Sequence, residues 1–429
     1  MAPVAAREEE IDLAHLLQRM VELGGSDLLL KVANRPLVRV RGELQPVDPQ
    51  LEPLRSWQTE HLLYSMISTG RIKEFENNGE VDFAYSAPGL ARFRVSAYKQ
   101  RGSVSIVMRV VPQAVASIES LGLPEVIGTL AEEERGLILV TGGTGSGKST
   151  TLAAMVGHIN RTAPKHVVTI EDPIEYLHRD QRAAIDQREI GSDTDSFASA
   201  LRRVLRQDPD VILIGEMRDE ETVRTALAAA ETGHLVMSTL HTLDAGETIN
   251  RIIDFFEPHE QQHVRAMLAG TLKGIVSQRL APTADGEGQM AVCEILTMTG
   301  RVHDTILDAD ADMNLRDIMA EGVYYGMQTF DQALYKALTA GRIDMDTALR
   351  TSSHPHDFKL LVQAEGRTST SMEHLEDRLR ISGEDAAEAE LPRDGGSLAA
   401  EMFGEEPADA REPVVSVPPP SYSPSASVG

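Results

Sequence analysis

Apolar residues recur along the chain in two rhythms, and the switch between them divides it. The spacing Ile11, Leu13, Leu16, Leu17, Met20, Val21 follows the helical period. It predicts an amphipathic helix that stops at Gly24-Gly25. Short runs then predict strands over 27–32 and 37–40, with a turn at Arg41-Gly42. Helical spacing over 60–68 and 71–76 leads to further strands over 81–86, 91–99 and 103–110. This α+β block, residues 11–111, has an ordinary size for one domain. Pro112 opens a linker over 112–120.

From Leu121 the apolar residues cluster in continuous runs. They predict buried strands over 137–141, 166–170, 211–215 and 235–239, with helices between them, notably over 196–206 and 222–231. Runs that are apolar throughout suit a parallel sheet covered on both faces. The stretch 257–276 is predicted helical, with the clearest spacing at 261–270, and further helices are expected over 326–339 and 344–350. The expected fold class is therefore α/β, with a second domain over 121–365 whose ordered part closes near Val362. Residues 1–10 are expected to be a flexible lead. Residues 366–429 are rich in Glu, Asp, Ala, Pro and Ser and have too little apolar surface to offset ordering entropy, so a disordered tail is expected. Two islands within it, 372–381 and 398–403, suit either docking segments or transient helix without a role.

Composition narrows the class. The 429 residues are 41% hydrophobic, enough for two or three cores. No stretch approaches the ~20 apolar residues of a membrane helix, and the acidic opening lacks an apolar signal core. Cys293 is the only cysteine, which excludes internal disulfides and any multi-cysteine zinc module. A reducing cytoplasm is expected. The net charge of −25 argues against nucleic acid as a partner, because phosphate neutralisation wants a basic surface.

The sharpest chemical signal follows the 137–141 run. Gly142, Gly143, Thr144, Gly145, Ser146, Gly147, Lys148 and Ser149 spell a phosphate loop between a strand and a helix. Its glycines let backbone N–H groups curl around phosphate oxygens, Lys148 reaches the terminal phosphates, and Ser149 is placed to hold Mg²⁺. The helix from Thr150 presents its positive end to the anion. Carboxylates close the 166–170 strand: Glu171 and Glu175 are candidates to orient Mg²⁺ or polarise water, while Asp172 and Pro173 also fit the start of a helix. Val211-Ile212-Leu213-Ile214-Gly215-Glu216 is a buried strand that ends in an acid, the arrangement of a Walker B element. His241 closes the next strand and is a candidate phosphate sensor or partner of that acid. His234 precedes the strand and reads as structural. Arg92, Arg94, Arg101 and Arg109 lie on or between N-terminal strands, and arginines suit phosphate sensing as well as solvated strand faces.

Together the phosphate loop, TIEDPIEYLH, DQREIGSDTDSFASALRRVLRQDPDVILIGEMRD and AAAETGHLVMSTLHT closely resemble the secretion-type ATPase superfamily. GLARFRVSAYKQRGSVSIVMRVVP and GMQTFDQALYKAL are similar to its twitching-motility, type IV pilus retraction branch (PilT/PilU-like). The resemblance covers about residues 11–362. It implies a PAS-like N-terminal domain, a RecA-like ATPase domain, and a homohexamer that hydrolyses ATP with Mg²⁺ to power pilus retraction. By the same resemblance Gly145–Thr150 bind phosphates, Glu171 and Glu175 form the Asp box, Glu216 is the Walker B acid and His234 and His241 form the His box. Arg94, Arg101 and Arg109 match basic strand positions near the nucleotide. An inner-membrane pilus platform protein and a paralogous retraction or assembly ATPase are implied partners, which places the protein at the cytoplasmic face of the membrane. The family's Ser-Asp-Leu-His appears as Ser26-Asp27-Leu28-Leu29, and its AIRNLIR motif corresponds to Arg301–Leu307, which keeps almost none of it. Those departures admit an accessory retraction role. A pilus assembly or type II secretion ATPase and a non-motor, nucleotide-dependent regulator are the alternatives.

Overall fold

The computed structural model describes residues 11–308 and 314–364, so the expected lead and acidic tail lie outside the described residues. Helix α1 (Leu13–Glu22) starts where Asp12 accepts a hydrogen bond from Ala14 N, and it buries Leu16, Leu17 and Met20. Strands β1 (Asp27–Lys31), β2 (Leu37–Val40) and β3 (Glu43–Pro46) precede α2 (Ser56–Met66) and α3 (Thr69–Asn78). Strands β4 (Glu80–Ala87), β5 (Ala91–Gln100) and β6 (Ser103–Val111) complete an antiparallel sheet of order β3-β2-β1-β6-β5-β4. Leu28 and Leu30, Phe93, Val95 and Ala97, and Val104, Ile106 and Met108 alternate onto one face and share a core with Leu62 and Leu63 of α2. The block is α+β, as its alternation of helical and strand patterns predicts. Strand β3 escapes the sequence reading because every one of its residues is exposed, which leaves no apolar signal.

A short helix α4 (Val126–Ala131) leads to the second sheet. Its elements are β7 (Gly136–Thr141), α5 (Lys148–Thr162), β8 (His166–Glu171), β9 (Ala184–Glu189), α6 (Phe197–Val204), β10 (Val211–Ile214), α7 (Glu220–Glu231), β11 (Leu235–Leu240), α8 (Ala245–Asp254), α9 (Gln261–Thr271), β12 (Leu272–Pro282) and β13 (Gln289–Thr297). Helices α10 (Gly300–Leu307), α11 (Leu315–Glu321), α12 (Phe330–Thr339), α13 (Met345–Thr351) and a last helix over 355–364 follow. The strand order is β13-β12-β7-β11-β10-β8-β9, parallel except for the β12–β13 pair. Leu137, Leu139, Ile212 and Ile214 face one core while Ile138, Val140, Val211 and Leu213 face the other. Burial on both faces is why these strands read as unbroken apolar runs.

The expected helix over 257–276 is corrected. The helix ends at Thr271, and Leu272 begins β12, which lies beside β7. A run buried on both faces has no helical or alternating period to read, so it was indistinguishable from the end of the helix before it. Strands β12 and β13 pair as an antiparallel hairpin that carries Cys293. Strand β9 has no counterpart among the expected strands: Ala184-Ile185-Asp186-Gln187-Arg188-Glu189 is a polar edge strand. Among the described residues no helix is long and apolar enough to cross a membrane.

Candidate functional site

Parallel strands β7, β8, β10 and β11 all end on one rim, with Ile214 in register with Ile170 on one side and Ser238 on the other. The segments leaving that rim enclose a cleft of about 260 Å³. Ligands collect at this edge of such sheets because helix N-termini and strand-end loops converge there. Thr144, Gly145, Lys148, Ser149, Glu171, Glu175, Glu216 and His241, predicted from separate motifs, all line it.

The loop after β7 is shaped by strand β12. Thr151 Oγ1 donates to Gln278 Oε1 at 2.7 Å, which fastens the start of α5 to the sheet. Lys148 Nζ donates to Gly142 O at 2.7 Å and to Gly143 O at 3.0 Å, so the ammonium lies folded over its own loop. Partial burial lowers its pKa, and Glu216 and Glu175 oppose that shift. Ser146 Oγ is buried and finds no partner among the described residues. An anion seated in the loop would satisfy it. The Thr150 hydroxyl lies 2.9 Å from the Tyr176 hydroxyl.

Across the cleft, beside Asp172, stand Glu171, Glu175 and Glu216 in different surroundings. Burial pushes the Glu171 carboxyl above its ordinary range, opposed by hydrogen bonds from Thr169 Oγ1 at 2.6 Å and Gln187 Nε2 at 3.1 Å. Glu175 is exposed. Glu216 is clamped: Arg218 Nη2 reaches its Oε2 at 2.7 Å, and His241 Nε2 lies 3.2 Å from its Oε1. The Asp172–Pro173 peptide is cis and the chain there forms bends rather than the helix start considered above. The donor set of a serine hydroxyl and carboxylates is all oxygen, which fits Mg²⁺.

Other expected positions fall elsewhere. His234 sits at the opposite end of β11, its Nδ1 3.0 Å from Ala229 O, as its structural reading requires. Arg94, Arg101 and Arg109 do not line the cleft. Arg109 Nε donates to the buried carboxylate of Asp27 at 2.7 Å, its register neighbour on β1. Arg101 occupies the exposed β5–β6 turn at φ 50, and Arg94 is exposed on β5 beside a second cavity. They belong to the N-terminal sheet, and within one chain that sheet keeps them off the rim. Sequence reasoning missed Thr169, Gln187, Arg218 and Gln278. Only Arg218 carried a signal, two residues after the Walker B acid. Thr169 lies two residues before Glu171 on the same strand but has nothing in its own pattern to mark it, and Gln187 and Gln278 act from strands that need the sheet to become neighbours.

A family model described as "Type II/IV secretion system protein" matches residues 76–330. The chain is 43% identical to the type IV pilus ATPase PilU of Pseudomonas aeruginosa, across 82% of this chain and 92% of that one. It is 42% identical to the type IV pilus retraction ATPase PilT of the same organism, across 81% of this chain and all of that one. Among solved structures, that of the pilus retraction motor PilT with bound ADP superposes with a TM-score of 0.73 at 41% identity, covering 81% of this chain and 99% of that chain.

Proposed function

The chain belongs to the type II/IV secretion system protein family and is an ATPase of that family, and from that premise we propose that it hydrolyses ATP to power type IV pilus retraction and twitching motility. The observation that carries this reading is the convergence of Lys148, Glu171, Glu216 and His241 on one cleft in a protein so similar to retraction ATPases.

In this proposal Gly142–Ser149 and the N-terminus of α5 cradle the phosphates. Lys148 exchanges its two carbonyl partners for phosphate oxygens, so its charge moves onto the ligand. Ser149 with Glu171, Glu175 and Glu216 would hold Mg²⁺, which when bound offsets phosphate charge. Glu216 orients and polarises the attacking water, and Arg218 and His241 fix its two oxygens so that little reorganisation accompanies the reaction. Burial raises the Glu171 pKa, and a bound Mg²⁺ would offset that shift by favouring the ionised carboxylate.

The working form is proposed to be a homohexamer docked on an inner-membrane platform protein. In such a ring Arg94, Arg101 and Arg109 would meet the nucleotide as the domains close or from an adjoining subunit. Phosphate release by the purified chain tests the chemistry: Glu216→Gln should lower turnover ~10²–10⁴-fold while leaving nucleotide binding, the range expected for removing a positioned base. Lys148→Ala should lose both. Full turnover by either variant would overturn the assignment.

A further inference from the structure

Strand β9 carries two side chains that reach back to the acidic segment after β8. Gln187 and Glu189, two residues apart, project to the same side of the strand. Gln187 Nε2 donates to Glu171 Oε1 at 3.1 Å and to Tyr176 O at 2.9 Å, and its Oε1 accepts from His178 N at 2.9 Å. Glu189 Oε2 accepts from Ile174 N at 3.2 Å. The segment that bears Glu171 and Glu175 is thus fastened at both ends.

Glu189 has a second tie. The same Oε2 accepts from Arg92 Nη2 of β5 at 3.1 Å, with the Glu189 side chain 7% and the Arg92 side chain 21% exposed. This largely buried ion pair joins the N-terminal sheet to the ATPase sheet. Beside it lies a cavity of about 400 Å³ whose lining includes Arg71, Arg92, Arg94 and Glu189. Asp172 and Pro173 line both this cavity and the nucleotide cleft, so a single thin wall separates them.

We propose that Glu189 is a positioning residue for ATP hydrolysis: it holds the 172–178 segment, and with it Glu175, where Arg92 of the N-terminal sheet places it. This rests on the reading of the cleft given above. A carboxylate shared by a backbone N–H and a guanidinium makes charge-assisted bonds, which are the stronger and shorter kind. When the N-terminal sheet shifts, Arg92 pulls on the oxygen that also holds Ile174 N, and the catalytic wall follows. A displacement near 1 Å is enough to cost ~10²-fold in rate. Nucleotide hydrolysis and the position of the N-terminal sheet are thereby linked inside one chain, without a neighbouring subunit.

The test uses the full-length protein with Glu189→Gln, Arg92→Ala and the double variant. Glutamine keeps an acceptor for Ile174 N and the shape of the side chain but removes the charge that faces Arg92. Each single variant should lower kcat about tenfold, the low end for a lost supporting hydrogen bond, with KM for ATP within about twofold. The double variant should be no worse than the weaker single one, because both changes cut the same link. Wild-type kcat in either single variant, losses that multiply in the double, or a change confined to the melting temperature would overturn the proposal. Should Glu189→Gln not fold, Arg92→Ala alone still decides it through kcat. Glu216→Gln run in parallel separates the two claims. Full turnover in that variant sinks the site reading itself, whereas a dead Glu216→Gln beside a wild-type Glu189→Gln sinks only the positioning role.

Discussion

Replacing Gly142 by alanine puts a methyl group where the phosphate loop has no room for one. A Cβ there would lie 2.4 Å from Gln278 O and 2.6 Å from Ser146 Oγ, and Gly142 has φ +141, a conformation L-residues avoid. Gln278 cannot step aside, because its backbone lies in β12, hydrogen-bonded into the sheet between β7 and β13. The loop must therefore deform in the free protein and be forced back when nucleotide binds. Backbone strain of ~1–3 kcal/mol and overpacking of ~1–3 kcal/mol combine to about 4 kcal/mol, or roughly a 10³-fold loss of affinity. Gly145 provides the contrast. Its φ is +77 but a Cβ would meet nothing within 4 Å, so Gly145→Ala carries only the left-handed strain, about 1–2 kcal/mol and roughly tenfold. Titration of both variants with a fluorescent ADP, after thermal unfolding has shown that each folds, reads the difference directly. Equal losses in the two variants, or Gly142→Ala binding within threefold of wild type, would refute the reasoning.

Two further outcomes follow from buried polar groups. Thr151→Val should leave Gln278 Oε1 without its donor in a position only 1% exposed at Thr151, lowering unfolding free energy by ~1–3 kcal/mol; an unchanged urea midpoint would contradict it. The Glu294 carboxyl is pushed up to about 7 from 4.5 by burial, with Asp244 adding to the shift and Arg279 opposing it. The folded state therefore holds that proton more tightly than the unfolded one, and the group's contribution is intact below pH 4.5 and lost as pH rises through about 7. The loss amounts to about 3 kcal/mol. Glu294→Gln, which keeps an acceptor for Ala245 N, should flatten this part of the profile of melting temperature against pH, whereas identical slopes would contradict it.

What the sequence disclosed depended on whether an element carried its own pattern. Strands β7, β8, β10 and β11 are buried on both faces and announce themselves as apolar runs, and the residues at their ends are those that meet in the cleft. The loop from Gly142 to Ser149 was legible because its chemistry needs contiguous residues. Gln278 was not, since its role exists only after β12 is laid beside β7, about 130 residues later in the chain. Strand β9 is polar and lies at the edge, so neither the strand nor the reach of Gln187 and Glu189 could be read from periodicity. The N-terminal arginines show the opposite case. Their charge was legible, but it did not reveal that Arg109 is engaged by Asp27 or that Arg92 faces Glu189.

The most direct test of the account is made in cells that have lost this gene and carry the Glu216→Gln variant in its place. Pili per cell are counted by electron microscopy alongside twitching. A motor that binds but cannot hydrolyse ATP should leave cells with excess pili and no twitching, because filaments are built and never withdrawn. Cells without pili would mark the protein as an assembly motor, and cells with normal pili and normal twitching would show that hydrolysis at Glu216 drives neither process.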